Sequence, residues 1–441
     1  MNTRGTLSRV ALVVMASGGA SGCSFAALDS SGETSCPDPA QCPAPSHATT
    51  TSDDAGCGSW SCDPGWVDCG GGPCSVNVLT DPHQCGDCGN SCSDGTCTMG
   101  SCGHVDVLTT NLLWPGAVAV DSASVSFVDV VPLLFVGDTL YLSALVLGRT
   151  PLDGGSAQLL AKIPGSVSGL AVDATGVYYL AGSEVFLVPP PTTSGTPPPV
   201  VVASTSGPAA VDLDASDPDG GALTSFAVAG GSVWWLRTFG AVDDADGGAT
   251  AMFELARESE VDSGVQRVAT FVATAPSWLQ CTSSLTIGGG DAFFASNGAL
   301  EVVRAGSSTV ETLTAEPQCV ISNVAVDDNY VYWTSWTFGS GGPAPPPPAL
   351  ARMPRAGGAI QTLLPSSASL SQLAVSDGLA WGTQPGIAGD DLVRVDGTGA
   401  LTVLSGGQGA IGGVAVDATS VYWTVTGQGT SGIGQLLRTD R

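Results

Sequence analysis

A recurring eleven-residue unit constrains this chain more than any other feature. Val324-Ala-Val-Asp-Asp-Asn-Tyr-Val-Tyr-Trp-Thr334 returns almost letter for letter as Val414-Ala-Val-Asp-Ala-Thr-Ser-Val-Tyr-Trp-Thr424. Looser copies are Leu170-Ala-Val-Asp-Ala-Thr-Gly-Val-Tyr-Tyr-Leu180 and Val118-Ala-Val-Asp-Ser-Ala-Ser-Val-Ser-Phe-Val128, with weaker ones at 226–236, 285–295 and 373–382. Each copy reads as a strand, a tight polar turn and a second strand of β-branched and aromatic residues. Aligned on the first strand, the anchors are Val120, Val172, Val228, Ile287, Val326, Val375 and Val416, spaced 52, 56, 59, 39, 49 and 41 residues apart. Seven units of this period predict an all-β fold, a seven-bladed β-propeller.

Third strands such as Ala349-Leu-Ala-Arg-Met353 and Asp391-Leu-Val-Arg-Val395 follow, then fourth strands such as Ala359-Ile-Gln-Thr-Leu-Leu364 and Ala400-Leu-Thr-Val-Leu404. Four antiparallel strands make one blade. The seventh unit stops after its third strand, Gln435-Leu-Leu-Arg-Thr439, while His104-Val-Asp-Val-Leu-Thr109 precedes the first repeat. Closing a ring removes its mismatched edge, so residues 104–109 are expected to complete the last blade.

Composition narrows the function classes. Thirteen Lys and Arg face forty Asp and Glu, for a formal charge of −27. Such a balance repels phosphate backbones and argues against nucleic-acid binding. The three histidines are His47, His83 and His104, so none lies in the blades beyond the closing strand. That argues against His-base catalysis, Ser-His-Asp triads and His-ligated metals. With no Gly-rich phosphate loop and a single lysine, Lys162, no catalytic constellation emerges.

At the N-terminus, Arg4 and Arg9 precede an apolar run from Val10 to Ala16 and small residues up to Cys23. This is an export signal, too short to span a bilayer as a stable helix. Ala20-Ser-Gly-Cys23 resembles the lipobox of bacterial lipoproteins. That resemblance implies lipidation of Cys23, delivery to the outer membrane, and membrane contact only through the anchor; cleavage by an ordinary signal peptidase is the alternative. The expected order is a signal peptide over 1–22, a Ser/Pro/Asp-rich tether over 23–56, a Cys-rich module over 57–103 and the propeller over 104–441. Export makes disulfides the default for the remaining cysteines.

Nine cysteines fall between Cys57 and Cys102, with almost no apolar run to bury. Cross-links must hold such a segment. Its stretch Asp81-Pro-His-Gln-Cys-Gly-Asp-Cys-Gly-Asn-Ser-Cys92 resembles the Stig1-like module of secreted proteins, which implies an extracellular disulfide domain. Zinc on Cys85, Cys88, Cys92 and Cys97, or a Cys85–Cys88 redox pair, are the alternatives. Cys281 and Cys319 precede the first strands of neighbouring blades and are expected to form a disulfide tying them.

Tyr332-Trp-Thr334 and Tyr422-Trp-Thr424 resemble the YWTD-type propeller repeat, and the repeats also resemble those of NHL-like and TolB-like propellers. The resemblance implies fold but not ligand, because Ser335 and Val425 stand where that family has Asp. The long connections, 129–140, 206–222, 237–250, 335–348 and 382–390, nearly all emerge on one face, which is therefore the expected binding surface. Trp114, Phe239, Trp278, Trp336 and Phe338 occupy it and suit stacking on sugars or anchoring a partner. Asp212, Asp214, Asp217 and Asp219 in one loop, with Asp243, Asp244 and Asp246 in another, make a candidate Ca²⁺ cluster, though the spacing fails the EF-hand pattern. The repeated Asp121, Asp173, Asp327 and Asp417 each begin a tight turn and read as structural. The leading expectation is a non-enzymatic envelope protein binding a protein or glycan. A Ca²⁺-dependent hydrolase or lyase at the propeller axis and a TolB-like periplasmic scaffold are the alternatives.

Overall fold

In a computed structural model of the chain, the structure describes residues 46–52, 58–63, 65–70, 74–89, 92, 97–98, 100–102, 104–136, 139–163, 165–192, 195–204, 222–243, 248–259, 265–276, 284–296, 299–315, 319–337, 349–365, 370–386, 389–406, 409–426 and 434–441. The chain divides into two compact units after Cys62. In the first, Ala48–Ser52 pairs antiparallel with Gly58–Cys62.

The second unit carries seven four-stranded antiparallel sheets, one for each repeat. Their first strands are Val118–Val120, Val167–Asp173, Ala222–Ala229, Leu285–Gly288, Cys319–Val326, Ser371–Ser376 and Ile411–Val416, and each contains the anchor of its repeat. Six blades take their four strands in sequence order. The seventh is completed by the segment Asp106–Leu112, which pairs with Gly434–Asp440. The N-terminal closing strand is thus present, lying a little later than 104–109. Its Leu108 and Leu112 are buried against Tyr422 and Leu436 of blade seven and Val125 and Phe127 of blade one.

The second strands explain why the ring holds. Neighbouring side chains of a strand point to opposite faces, so an aromatic pair serves two neighbours. Tyr332 packs toward blade six and Trp333 toward blade four. Tyr422 and Trp423 divide in the same way between blades one and six. Seven hydrophobic clusters result, one in each gap between blades. Trp333, Trp381 and Trp423 are fully buried, and burying one large apolar side chain is worth roughly 1.5–3 kcal/mol.

Several connections expected as loops are strands for most of their length. In blade one, Ser124–Val136 pairs with Thr139–Pro151, from Ser124↔Pro151 out to Val136↔Thr139. In blade three, Ser232–Asp243 pairs with Gly248–Ser259, and in blade six Leu379–Gly386 pairs with Gly389–Val395. In blade one a run rich in Val, Leu and Phe extends the ladder beyond the blade because the partner strand is equally β-prone.

The Cys-rich segment from residue 63 lies within the second unit. Disulfides join Cys69 to Cys88 and Cys85 to Cys97, and Cys74 and Cys92 are also disulfide-bonded. Cys85 and Cys88 therefore bond different partners and are not a redox pair. The sulfurs of Cys85, Cys92 and Cys97 lie within 4.8 Å of one another, yet all three are in disulfides, which leaves no thiolate for zinc. The segment leans on blade six, where Gly406 N–H donates to Gly100 O at 2.9 Å.

Closure also has a polar lock. Arg438 Nε donates to Asp106 Oδ2 at 3.0 Å, and its Nη1 reaches Leu152 O of blade one at 2.7 Å. Two outcomes are expected. A chain truncated through Leu112 leaves blade seven three-stranded and loses its single cooperative calorimetric transition; an unchanged transition refutes the closure. The hydrogen bond from Arg438 holds the Asp106 carboxyl below its ordinary range. A carboxyl lowered on folding stabilises above its unfolded value of about 4 and loses that contribution as pH falls through the folded value. Asp106→Asn should cost about 1 kcal/mol near neutrality, given a partly exposed pair, and the gap from wild type should close in acid, as read by urea melts across pH.

Candidate functional site

The two faces of the ring are built differently. The turns joining first to second strands and third to fourth strands share one face. There Asp121, Asp327 and Asp417 each accept two backbone N–H groups from the residues two and three positions on. Asp173 accepts from Thr175 N–H at 2.8 Å. In two blades the second carboxylate oxygen takes a buried tyrosine: Tyr332 donates to Asp327 at 3.0 Å and Tyr422 to Asp417 at 2.8 Å. Burial, with the neighbouring carboxylate, pushes both phenols up to about 12. They act as hydrogen-bond donors. The structural reading of the repeated Asp holds.

Arginines form the second layer of this face, and sequence reasoning missed them. A buried residue, a register shift and then an Arg recur in the third strand as Leu147-Gly-Arg149, Leu255-Ala-Arg257, Leu350-Ala-Arg352, Leu392-Val-Arg394 and Leu436-Leu-Arg438. The signal was present in the third strands quoted above. Arg352 shows the complete arrangement. Its Nε donates to Gln361 Oε1 at 3.0 Å, Nη1 to Tyr332 Oη at 3.4 Å and Gly378 O at 3.3 Å, and Nη2 to Gly397 O at 3.0 Å. Gly378 and Gly397 belong to blade six, so Arg352 straps two blades. Asp327 Oδ2 accepts Gly378 N–H at 2.9 Å across the same gap. Arg355 and Arg441 strap backwards, to Gly288 O and to Ser376 O and Asp377.

Between blades three and four the same face opens into a cavity of about 570 Å³. Arg257, Gln266, Ser232, Ser307 and Ser308 contribute polar groups to its lining, and Val268, Ile287 and Val303 give it apolar wall. Arg257 Nε donates to Gln266 Oε1 at 2.8 Å, and the guanidinium lies 5.2 Å from the Trp234 ring centroid. Arg267 also lines the cavity, but its Nε lies 3.4 Å from Glu254, which also pairs with buried Arg237.

On the opposite face, Trp114 is 54% exposed. The N–H groups of Leu113 and Trp114 both donate to Asp129 Oδ1 at 3.0 Å, and Pro115 behind them is buried. Burial raises the Asp129 carboxyl above its ordinary range, against three backbone hydrogen bonds. The other sequence-derived candidates lie largely outside the described residues. These are Cys23, Trp278, Phe338, Cys281, Asp212, Asp214, Asp217, Asp219, Asp244 and Asp246, together with the side chains of Phe239, Trp336, Asp243 and Cys319.

The turn aspartates have a measurable weight. Asp327→Ala removes the acceptor for two turn N–H groups, Tyr332 and Gly378 at once. Leaving such buried donors unmet costs about 1–3 kcal/mol, so urea denaturation should show a loss in the upper part of that range. Asp328→Ala in the same turn, where the side chain is exposed, should be near neutral. Equal stabilities for the two variants contradict the role.

No protein-family model and no curated protein matches the chain. Among solved structures it is similar to the β-propeller domain of the Trilobed protease from Pyrococcus furiosus. That alignment has 9% identity and TM-score 0.49, and covers 75% of this chain and 97% of that one. It is also similar to Pyrococcus horikoshii acylaminoacyl peptidase (12% identity, TM-score 0.46), over 72% of this chain and 49% of that one. A third neighbour is TolB from Acinetobacter baumannii (17% identity, TM-score 0.37), over 59% of this chain and 60% of that one. At these identities the likeness is one of fold.

Proposed function

We propose that this is an exported, lipid-anchored binding protein of the cell envelope whose long-hairpin face takes a protein or glycan partner. Trp114 carries the reading. A large aromatic is more than half exposed while its backbone is fixed by two N–H bonds to buried Asp129. Such a ring loses little conformational entropy on binding, which is what an anchor residue needs. The long paired hairpins of blades one and three project on the same side and supply a rim. Disulfides in the Cys-rich segment suit an oxidising compartment, and Cys23, after the small residues that follow the apolar run, supplies the point of anchorage.

Retention of envelope components by immobilised wild type and Trp114→Ala tests the face. Truncating an aromatic anchor costs about 2 kcal/mol or more, so the partner should be recovered at least tenfold less well. Equal recovery overturns the proposal. Separately, Cys23→Ser should abolish metabolic labelling with a fatty acid and release the protein from the membrane fraction; continued labelling removes the anchor.

A further inference from the structure

The cavity between blades three and four occupies a place that the protein fills elsewhere with its own groups. Arg257 and Gln266 are cross-strand partners, as Arg352 and Gln361 are. The two Arg–Gln hydrogen bonds match at 2.8 and 3.0 Å. Beyond that bond the two gaps differ. Arg352 goes on to Tyr332, Gly378 and Gly397, and the Asp327 carboxylate closes the same gap onto Gly378 N–H. In blade three Ala229 stands where the repeat has Asp327, and Trp234, with no hydroxyl, stands for Tyr332. Gly290 and Ala305 of blade four take the places of Gly378 and Gly397, and both line the cavity. Among the described residues, the terminal guanidinium nitrogens of Arg257 meet no acceptor. The missing pieces are a carboxylate and the volume around it.

We propose that this gap binds a hydroxylated organic carboxylate, of the class to which the hexuronic acids belong. Its carboxylate spans the places that the Tyr332 hydroxyl and the Asp327 carboxylate hold between blades five and six, accepting from Arg257 as Tyr332 does from Arg352 and from the N–H of Gly290 as Asp327 does from Gly378. A guanidinium presents a planar fork that matches a carboxylate, and a bidentate charge-assisted pair is the strong form of hydrogen bond. Ser232, Ser307 and Ser308 offer hydroxyls to a hydroxylated body, while Val268, Ile287 and Val303 pack its apolar edges. In a chain of formal charge −27 that in general repels anions, Arg257 places a cation over a cavity with no carboxylate against it among the described residues. Residues 260–264, which join the third and fourth strands of blade three, lie outside the described residues. The site is on the face opposite Trp114 and does not depend on the partner assigned there.

Calorimetric titration of the full chain with D-glucuronate tests this, using D-glucose and inorganic phosphate as comparison probes. Glucuronate should bind and quench tryptophan fluorescence, while glucose should do neither. Arg257→Gln should weaken glucuronate roughly ten- to hundredfold, the worth of a charge-assisted pair, with the melting transition unmoved. Ser308→Trp keeps the charge and fills the cavity from an exposed position, so it should also block binding. Arg394→Gln, the same strand position in blade six, should leave the affinity as it was, and so should Trp114→Ala. No binding by wild type, or equal binding by wild type and Arg257→Gln, overturns the site. Phosphate binding as tightly as glucuronate overturns the assignment to carboxylates.

Discussion

In five of the seven blades the second strand sends one aromatic into the blade ahead and the next into the blade behind, so these blades bury no core of their own. Tyr332 and Trp333 sit in different clusters, as do Tyr422 and Trp423 and Trp234 and Trp235. A single blade cut from the ring exposes both of its aromatic faces. An open ring leaves the two terminal blades with one such face each, and the edge strands unpaired besides. Closure is thus a condition of burial, and the segment Asp106–Leu112 is its instrument. That strand contributes Leu108 and Leu112 to the seam with blade one and accepts Arg438 at its start. One short strand from the far end of the chain completes both the hydrogen-bond ladder and the last hydrophobic slice.

Burying tyrosines between blades creates a second requirement, because a phenol taken from water must keep a partner. The repeat answers locally: the Asp that caps the first turn turns its second oxygen to the tyrosine two strand positions on. Two third-strand arginines, Arg352 and Arg438, then reach carbonyls at the turns of the next blade. Turns, phenols and guanidinium groups form one network around a single face, with Arg352 bridging blades five and six and Arg355 and Arg441 bridging backwards. In a chain with so few basic residues this is a heavy commitment of arginine to structure.

What the sequence made legible follows from range. Val-Tyr-Trp, the Asp turn and the repeat spacing are properties of adjacent residues, and they carried the blade count, the strand order within a blade and the structural role of the aspartates. The closing strand was legible because strand counting at the two ends left one deficit and one surplus. The hairpin extensions were not, because Val130 to Val136 reads equally as an apolar loop until its partner Thr139 to Leu145 is known to lie beside it. The arginine straps were harder still. Leu-x-Arg is a weak signal, and what each guanidinium touches belongs to another blade, at sequence distances such as the 45 residues between Arg352 and Gly397. Trp114 stands out in the sequence as an aromatic outside the strand pattern; its fixed backbone depends on Asp129, which nothing local indicates.

The degraded repeats take on meaning once the intact ones are understood. Where Asp and Tyr are both kept, as in blade five, the gap to the next blade is strapped shut by groups of the chain itself. In blade three the Asp has become Ala229 and the Tyr has become Trp234, yet Arg257 and Gln266 remain in register. The guanidinium keeps Gln266 and the Trp234 ring beside it, and its terminal nitrogens face the cavity instead of the next blade. The same strand-three geometry that makes a rivet in one gap makes a receptor in another. A repeat protein can obtain a site in this way without inventing one, by withholding from one gap the groups that close another.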